Sequence, residues 1–257
     1  MQGSIDLDHR SAVQYLLRIG DTCLILGQRL SEWCGHAPVL EEDIAMANMA
    51  LDLIGQARAV LTHAGAIEGR GRDEDQLAFL RDERDYRNLT LVELPRGDFA
   101  FTVMRNAMVA TLMKLLWERL VDSSDEELAG IAGKAVKEAR YHQQHAADWV
   151  VRLGDGTAES RRRTEAALRE LWLYMPELFE SDAVDDACQA IALGPRWIDL
   201  REPWLAEMRS ILDEATLAMP AESAFRSSGK RGLHSEHMGY ILADMQFLQR
   251  AFPGGVW

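Results

Sequence analysis

Cysteine is scarce and poorly spaced for either of its usual structural uses. The chain has three, Cys23, Cys34 and Cys188. They form no CxxC pair and leave an odd number, which argues against both a disulfide framework and a zinc site. Reduced thiols in a cytoplasmic setting are expected, and with no base placed beside them Cys34 and Cys188 read as packed or semi-exposed rather than nucleophilic. Basic residues are in deficit, with 28 Lys and Arg against 41 Asp and Glu and a net charge of −13. Phosphate backbones and anionic lipid would be repelled, so neither nucleic acid nor a membrane is an expected partner. No apolar run approaches the ~18 residues of a spanning helix. The opening Met1-Gln2-Gly3-Ser4-Ile5-Asp6-Leu7-Asp8 lacks the basic and apolar regions of a secretory signal. A soluble, cytoplasmic chain is the expectation. Alternating strand patterns are also missing, as is any internal repeat.

What is present is helical periodicity over 257 residues, 47% of them hydrophobic, enough for a sizeable core. Long amphipathic runs are separated by Gly, Pro, Asp and Ser. The spacing predicts helices over about Asp8–Trp33 and Leu40–Ala64, a short one at Glu74–Arg81, and an irregular connection through Leu89–Pro95. Asp98 is a predicted N-cap for a helix running to Val121, and Ser124 with Glu127 a predicted capping box for the next, which Gly154-Asp155-Gly156 ends. Further helices are expected at about Thr157–Phe179, Pro203–Ala218 and Ser235–Ala251. The second helix is so rich in Ala, Met, Leu and Ile that burial on most sides is expected, with Asp52 and Gln56 a buried or interfacial polar pair. Four long helices with one long crossover suggest an all-α, ferritin-like four-helix bundle, although periodicity alone permits other helical bundles. The expected organisation is a single domain over residues 1–257, with a bundle core at about 8–154 and a helical extension at about 157–257.

The chemistry of such bundles centres on Glu-x-x-His motifs that project inward from two helices. Residues 137–142 read Lys-Glu-Ala-Arg-Tyr-His. The apolar seam Leu128, Ile131, Ala135, Ala139, His142, Ala146, Trp149, Leu153 sets Ala139 in the carboxylate slot. Glu138 falls roughly 100° round the helix from it. On the helix begun by Asp98 the seam is Phe99, Val103, Ala107, Ala110 and Lys114. His142 has two readings, a hydrogen-bonded core or interface histidine and a residual functional group.

Several separated blocks carry a resemblance. They are Gly20–His36 (GDTCLILGQRLSEWCGH), Leu51–Arg58 (LDLIGQAR), Arg81–Arg84, Lys137–His142, Arg152–Thr157 and Gly229–His237 (GKRGLHSEH). Together, over about Leu16 to Trp257, the chain resembles the phenylacetic acid degradation family, most closely its C subunit. The resemblance implies a non-catalytic structural subunit of a phenylacetyl-CoA 1,2-epoxidase, an oxygenase of aerobic phenylacetate breakdown. It implies a di-iron centre in a partner A subunit, a reductase subunit with flavin and iron–sulfur groups, and phenylacetyl-CoA near the interface. It implies no cofactor or catalytic residue in this chain, and a homodimer remains open for the chain alone. Laid on the A-subunit pattern, the ligand positions fall at Cys23, at Leu53 and Gln56, at Ala110, and at Ala139 and His142. Only His142 keeps the family's ligand type.

Other readings stay open. The chain could be a di-metal oxygenase in its own right, with Glu41, Glu42, Asp52, Glu138 and His142 as a shifted site, or a stand-alone helical scaffold. Lys230 and Arg231, in a small basic loop before a helix, are candidate contacts for the phosphates of CoA. Arg161-Arg162-Arg163, interleaved with Glu159, Glu165 and Glu170, reads as a solvated face. His234 and His237 give a low-grade metal spacing. Trp33, Trp117, Trp149, Trp172, Trp197 and Trp204 read as core, some of it interface.

Overall fold

The computed structural model describes residues 4–255. Met1–Gly3, within the opening segment read above, and Val256–Trp257, where the resemblance ends, lie outside the described residues. The chain is all-α. Among the described residues the only β feature is an isolated bridge between Ser228 and Leu233. The chain divides into two compact units.

The first unit comprises residues up to His36, Asp43–Pro95, and Ser227 onward. Helix α1 spans Ser11–Ser31, and α2 spans Leu40–Glu68, with its residues from Asp43 onward in this unit. Glycine lets the two approach closely and antiparallel. A Cβ on Gly20 would lie 3.0 Å from Leu61, and one on Gly27 would lie 3.3 Å from the Ala50 carbonyl. The expectation that α2 is buried on most sides is corrected here. Met46, Met49, Ala50, Leu53, Ala57, Val60, Leu61 and Ala64 are buried, whereas Ile44, Asn48, Leu51, Gly55 and Arg58 are exposed. A composition apolar all round does not distinguish the two sides; only the tertiary partner does. Helix α3 (Glu74–Phe79) starts at an Asp73 capping box. Two 3₁₀ turns, Glu83–Asp85 and Thr90–Val92, complete the crossover.

The C-terminal segment returns to this crossover. Gly229 is required there, since a Cβ would collide with the Asn88 carbonyl and sit 2.9 Å from the Thr90 nitrogen. The last helix, Glu236–Ala251, packs against α3. Beneath it lies a fully buried ion pair in which Arg81 grips both carboxylate oxygens of Asp21, one at 2.8 Å. The Arg81 guanidinium also sits 4.2 Å over the Tyr86 ring. Gln246 from the last helix donates to the carbonyls of Ala78 and Arg81 at 3.1 and 3.0 Å. A second buried group holds Glu93. Its Oε1 contacts His234 Nδ1 at 2.5 Å and accepts from Asn88 at 2.9 Å, while Oε2 accepts from the Ser235 nitrogen and hydroxyl. His234 Nε2 faces the Tyr86 carbonyl at 3.1 Å. Arg29 donates to the Glu93 carbonyl.

The second unit comprises Ala37–Glu42 and Arg96–Arg226. Helix α4 (Phe99–Leu120) is capped by Asp98, whose carboxylate accepts from Phe101 N at 2.9 Å, as expected. It is buried along nearly its whole length, packed against α5 (Glu126–Gly154), α6 (Ala158–Leu171) and α9 (Arg201–Glu214). By length and composition α2 and α4 could each cross a membrane, but 83% of the α4 window is buried inside the fold. The predicted Ser124/Glu127 box is corrected. Asp125 caps α5 by accepting from Leu128 N at 2.9 Å, because Ser124 is drawn away, its hydroxyl to Ile191 O and its amide to Ala192 O. The helix expected over 157–179 ends at Leu171. A 3₁₀ turn and the short α7 (Met175–Leu178), with Pro176 at its start, follow. Helix α8 (Ala183–Ala190) was not expected. Trp117, Trp172, Trp197 and Trp204 fill the interior, and Trp204 Nε1 donates to the Met108 carbonyl at 2.9 Å.

Candidate functional site

In the first unit, the positions that the resemblance sets against the family's metal ligands carry Cys23 on α1 and Leu53 and Gln56 on α2. All three are buried. Cys23 Sγ donates to Gln56 Oε1 at 3.6 Å, so the thiol and the amide oxygen satisfy each other. Leu53 packs its Cβ 3.5 Å from the position a Gly27 side chain would take. Asp52 is only half-buried, and Asn48 faces outward.

In the second unit, Ala110 is buried on α4, and Ala139 and His142 are buried on α5. The α5 seam runs Leu128, Ala132, Ala135, Ala139, His142, Ala146, Val150 and Gly154. Its centre is as expected, but Ile131, Trp149 and Leu153 are only partly buried and are replaced by neighbours one residue away. A strict step of 3.5 drifts against the 3.6-residue turn by ~20° per heptad, so the ends of a long seam slide. Trp149 instead meets the edge of Phe99 at 4.9 Å and lies under the Arg152 guanidinium. Glu138 lies off the seam, its carboxylate 3.8 Å from Lys134 one turn back. Glu42 pairs with His145 Nε2 at 2.8 Å, and Glu41 is exposed.

These positions do not suit iron. A di-iron site needs several carboxylate oxygens to neutralise and bridge two ions. Cys23, Leu53, Gln56, Ala110, Ala139 and His142 offer none. Of the shifted alternative, within the second unit Glu42 is committed to His145 and Glu41 faces solvent. Among the described residues no three His, Cys, Asp or Glu side chains converge in an arrangement able to hold a metal.

The sequence profile of the family described as "Phenylacetic acid catabolic protein" matches residues 2–257. The chain belongs to this family. It is similar to the Escherichia coli (strain K12) protein named as the C subunit of 1,2-phenylacetyl-CoA epoxidase, with 50% identity over 245 residues, which covers 95% of this chain and 98% of that one. The resemblance read from the six blocks is thereby borne out at the level of family and subunit.

Elsewhere, Lys230 is buried, whereas Arg231 is exposed and donates to Ser228 Oγ at 3.0 Å. Arg162 and Arg163 bond Glu159 and Arg161 bonds Glu165, the solvated face that was expected. His234, read as half of a weak metal spacing, is instead sealed between Glu93 and the Tyr86 carbonyl. Burial lowers the affinity of its ring for a proton, but the Glu93 carboxylate and the carbonyl outweigh burial and raise its pKa. No local signal reveals this cluster, since Glu93 lies 141 residues away in sequence.

Proposed function

We propose that this chain is a non-catalytic structural subunit of a phenylacetyl-CoA epoxidase. It binds and supports a related, di-iron catalytic A subunit that inserts one oxygen atom of O2 across the aromatic ring. The observation that carries the reading is the near full-length 50% identity to the C subunit of such an epoxidase. The carboxylate-free donor set at the six ligand positions supports it. Iron belongs to the A subunit, and flavin and iron–sulfur groups to a reductase subunit. The assembly works in the cytoplasm on phenylacetyl-CoA, and exposed Arg231 is the residue of the basic loop able to meet the CoA phosphates. The test is co-expression with the catalytic subunit encoded by the same host, followed by native mass measurement and elemental analysis. The two chains co-purify, and this chain purified alone holds far less than one iron. Near two irons in the isolated chain, or failure to co-purify, overturns the reading.

A further inference from the structure

The last helix, Glu236–Ala251, turns an apolar strip outward. At ~100° per residue, Gly239, Ala243, Phe247, Tyr240 and Ala251 fall within an arc of roughly 120°. All five are exposed, Tyr240 at 73% and Phe247 at 62%. A solvated helix carries polar groups on that side. Along one edge the strip is hollow. There Gly239, Ala243, Phe247 and Ala251 meet Asp82 and Glu83 of the crossover in an open groove of about 530 Å³. Carboxylates border the strip on both sides. Exposed Asp244 follows one edge, and at the other the Glu83 carboxylate lies 3.4 Å from where a Gly239 side chain would begin. Arg250, the base among the described residues of the groove, is already committed, to Asp82 at 2.9 Å and to the carbonyls of Phe79 and Arg81.

We infer that this groove docks an amphipathic α-helix of another protein, apolar on the face it presents and carrying Lys and Arg along both flanks. A helix laid in a groove is held by apolar anchors at steps of three and four. Gly239, Ala243 and Ala251 leave room for its backbone, and Tyr240 and Phe247 wall it in. Gly239 to Ala251 spans ~18 Å, the length of about three turns of the incoming helix. Charge selects the occupant. Carboxylates on both edges attract basic flanks and repel anionic lipid, nucleic acid and acidic helices. A footprint of that length and about 10 Å in width is far below the ~800 Å² per partner of a stable interface, so the contact forms and breaks readily. The inference does not rest on the epoxidase reading.

The test uses the full chain and a fluorescein-labelled peptide of roughly four helical turns, leucine along one face and lysine along both flanks, followed by anisotropy. Micromolar binding is expected, and a peptide with glutamate in place of every lysine should bind at least about tenfold more weakly. Ala243→Trp fills the groove from an exposed position and should abolish binding while circular dichroism stays unchanged. Glu83→Lys combined with Asp244→Lys should reverse the preference, taking the glutamate peptide over the lysine one. In the host, a photo-crosslinking residue in place of Phe247 should join the chain to a segment whose mapped sequence has apolar steps of three and four between basic flanks, and Ala243→Trp should remove that crosslink. Equal binding of the two peptides, or binding untouched by Ala243→Trp, overturns the inference. So does the absence of any crosslink, or crosslinks confined to a second copy of the chain or to segments without basic flanks.

Discussion

His234→Gln is the perturbation that best tests how the C-terminal helix is held. Both ring nitrogens of His234 face acceptors, Glu93 Oε1 and the Tyr86 carbonyl. Glu93 accepts three further bonds, from Asn88 and twice from Ser235. Two acceptors, one at each ring nitrogen, favour the doubly protonated ring, in the direction of its raised pKa. Breaking a buried pair from one side costs ~3–5 kcal/mol. Glu93 keeps its other donors and glutamine restores one, so about 3 kcal/mol is expected, roughly a hundredfold in the opening equilibrium of Glu236–Ala251. The pH dependence follows from the raised folded pKa. A group whose pKa rises on folding contributes in full below its unfolded value, about 6.5 for histidine. That contribution is lost as pH climbs through the folded value. Wild-type protein should therefore lose stability from about pH 6 upward through that window, and the glutamine variant should lack that slope. Urea unfolding at several pH values, with hydrogen exchange in 236–251, measures both. A variant that keeps the wild-type slope, or that loses less than ~0.5 kcal/mol, refutes the imidazolium assignment.

The remaining perturbations probe neighbouring features. Asp21→Asn strands a fully buried Arg81 guanidinium and should cost ~3–5 kcal/mol by urea unfolding, while replacing Asp21 and Arg81 together with apolar residues of similar volume should cost much less. Gly229→Ala puts a methyl into the Asn88 carbonyl and should speed proteolysis and exchange of the C-terminal segment selectively. Asp98→Ala should remove ~1 kcal/mol by deleting the α4 cap, and Asp98→Asn should recover most of it. His142→Ala should leave the iron content of the co-purified assembly unchanged, measured by elemental analysis, because no carboxylate accompanies it at these positions.

Helix existence was legible because 3.6-residue periodicity is a local property, and so were the caps that rest on one side chain, as at Asp98. What failed was whatever a distant segment decides. Ser124 lost its cap to Asp125 because carbonyls near residue 191 claimed its hydroxyl and amide. The run over 157–179 looked continuous because its apolar spacing persists across Pro176, where the backbone turns instead. Helix α8, eight residues long, offers too few turns for a period to show, although Asp182 and Asp185 box its start. The exposed side of α2 had no signature, since a helix of alanine, leucine and isoleucine reads alike whether covered or bare. At the candidate site the seam placed Ala139 and His142 inward correctly at its centre and slid only where helical drift accumulates.

At the positions that the resemblance sets against the family's ligands no carboxylate stands, and in the first unit Cys23 and Gln56 satisfy each other. Charge is buried in both units, in the second at Arg105, Glu177 and Asp185, and in the first it forms two pairs, Asp21 with Arg81 and Glu93 with His234. Both pairs join a long helix or the crossover to segments remote in sequence. Apolar contact alone would let a short crossover and a terminal helix settle in several registers, whereas a buried carboxylate with four fixed donors is satisfied in one. If that is their role, replacing a whole pair with apolar residues should preserve global stability yet broaden hydrogen exchange in 229–251. A variant as sharply protected as the wild type would show that packing alone sets the register.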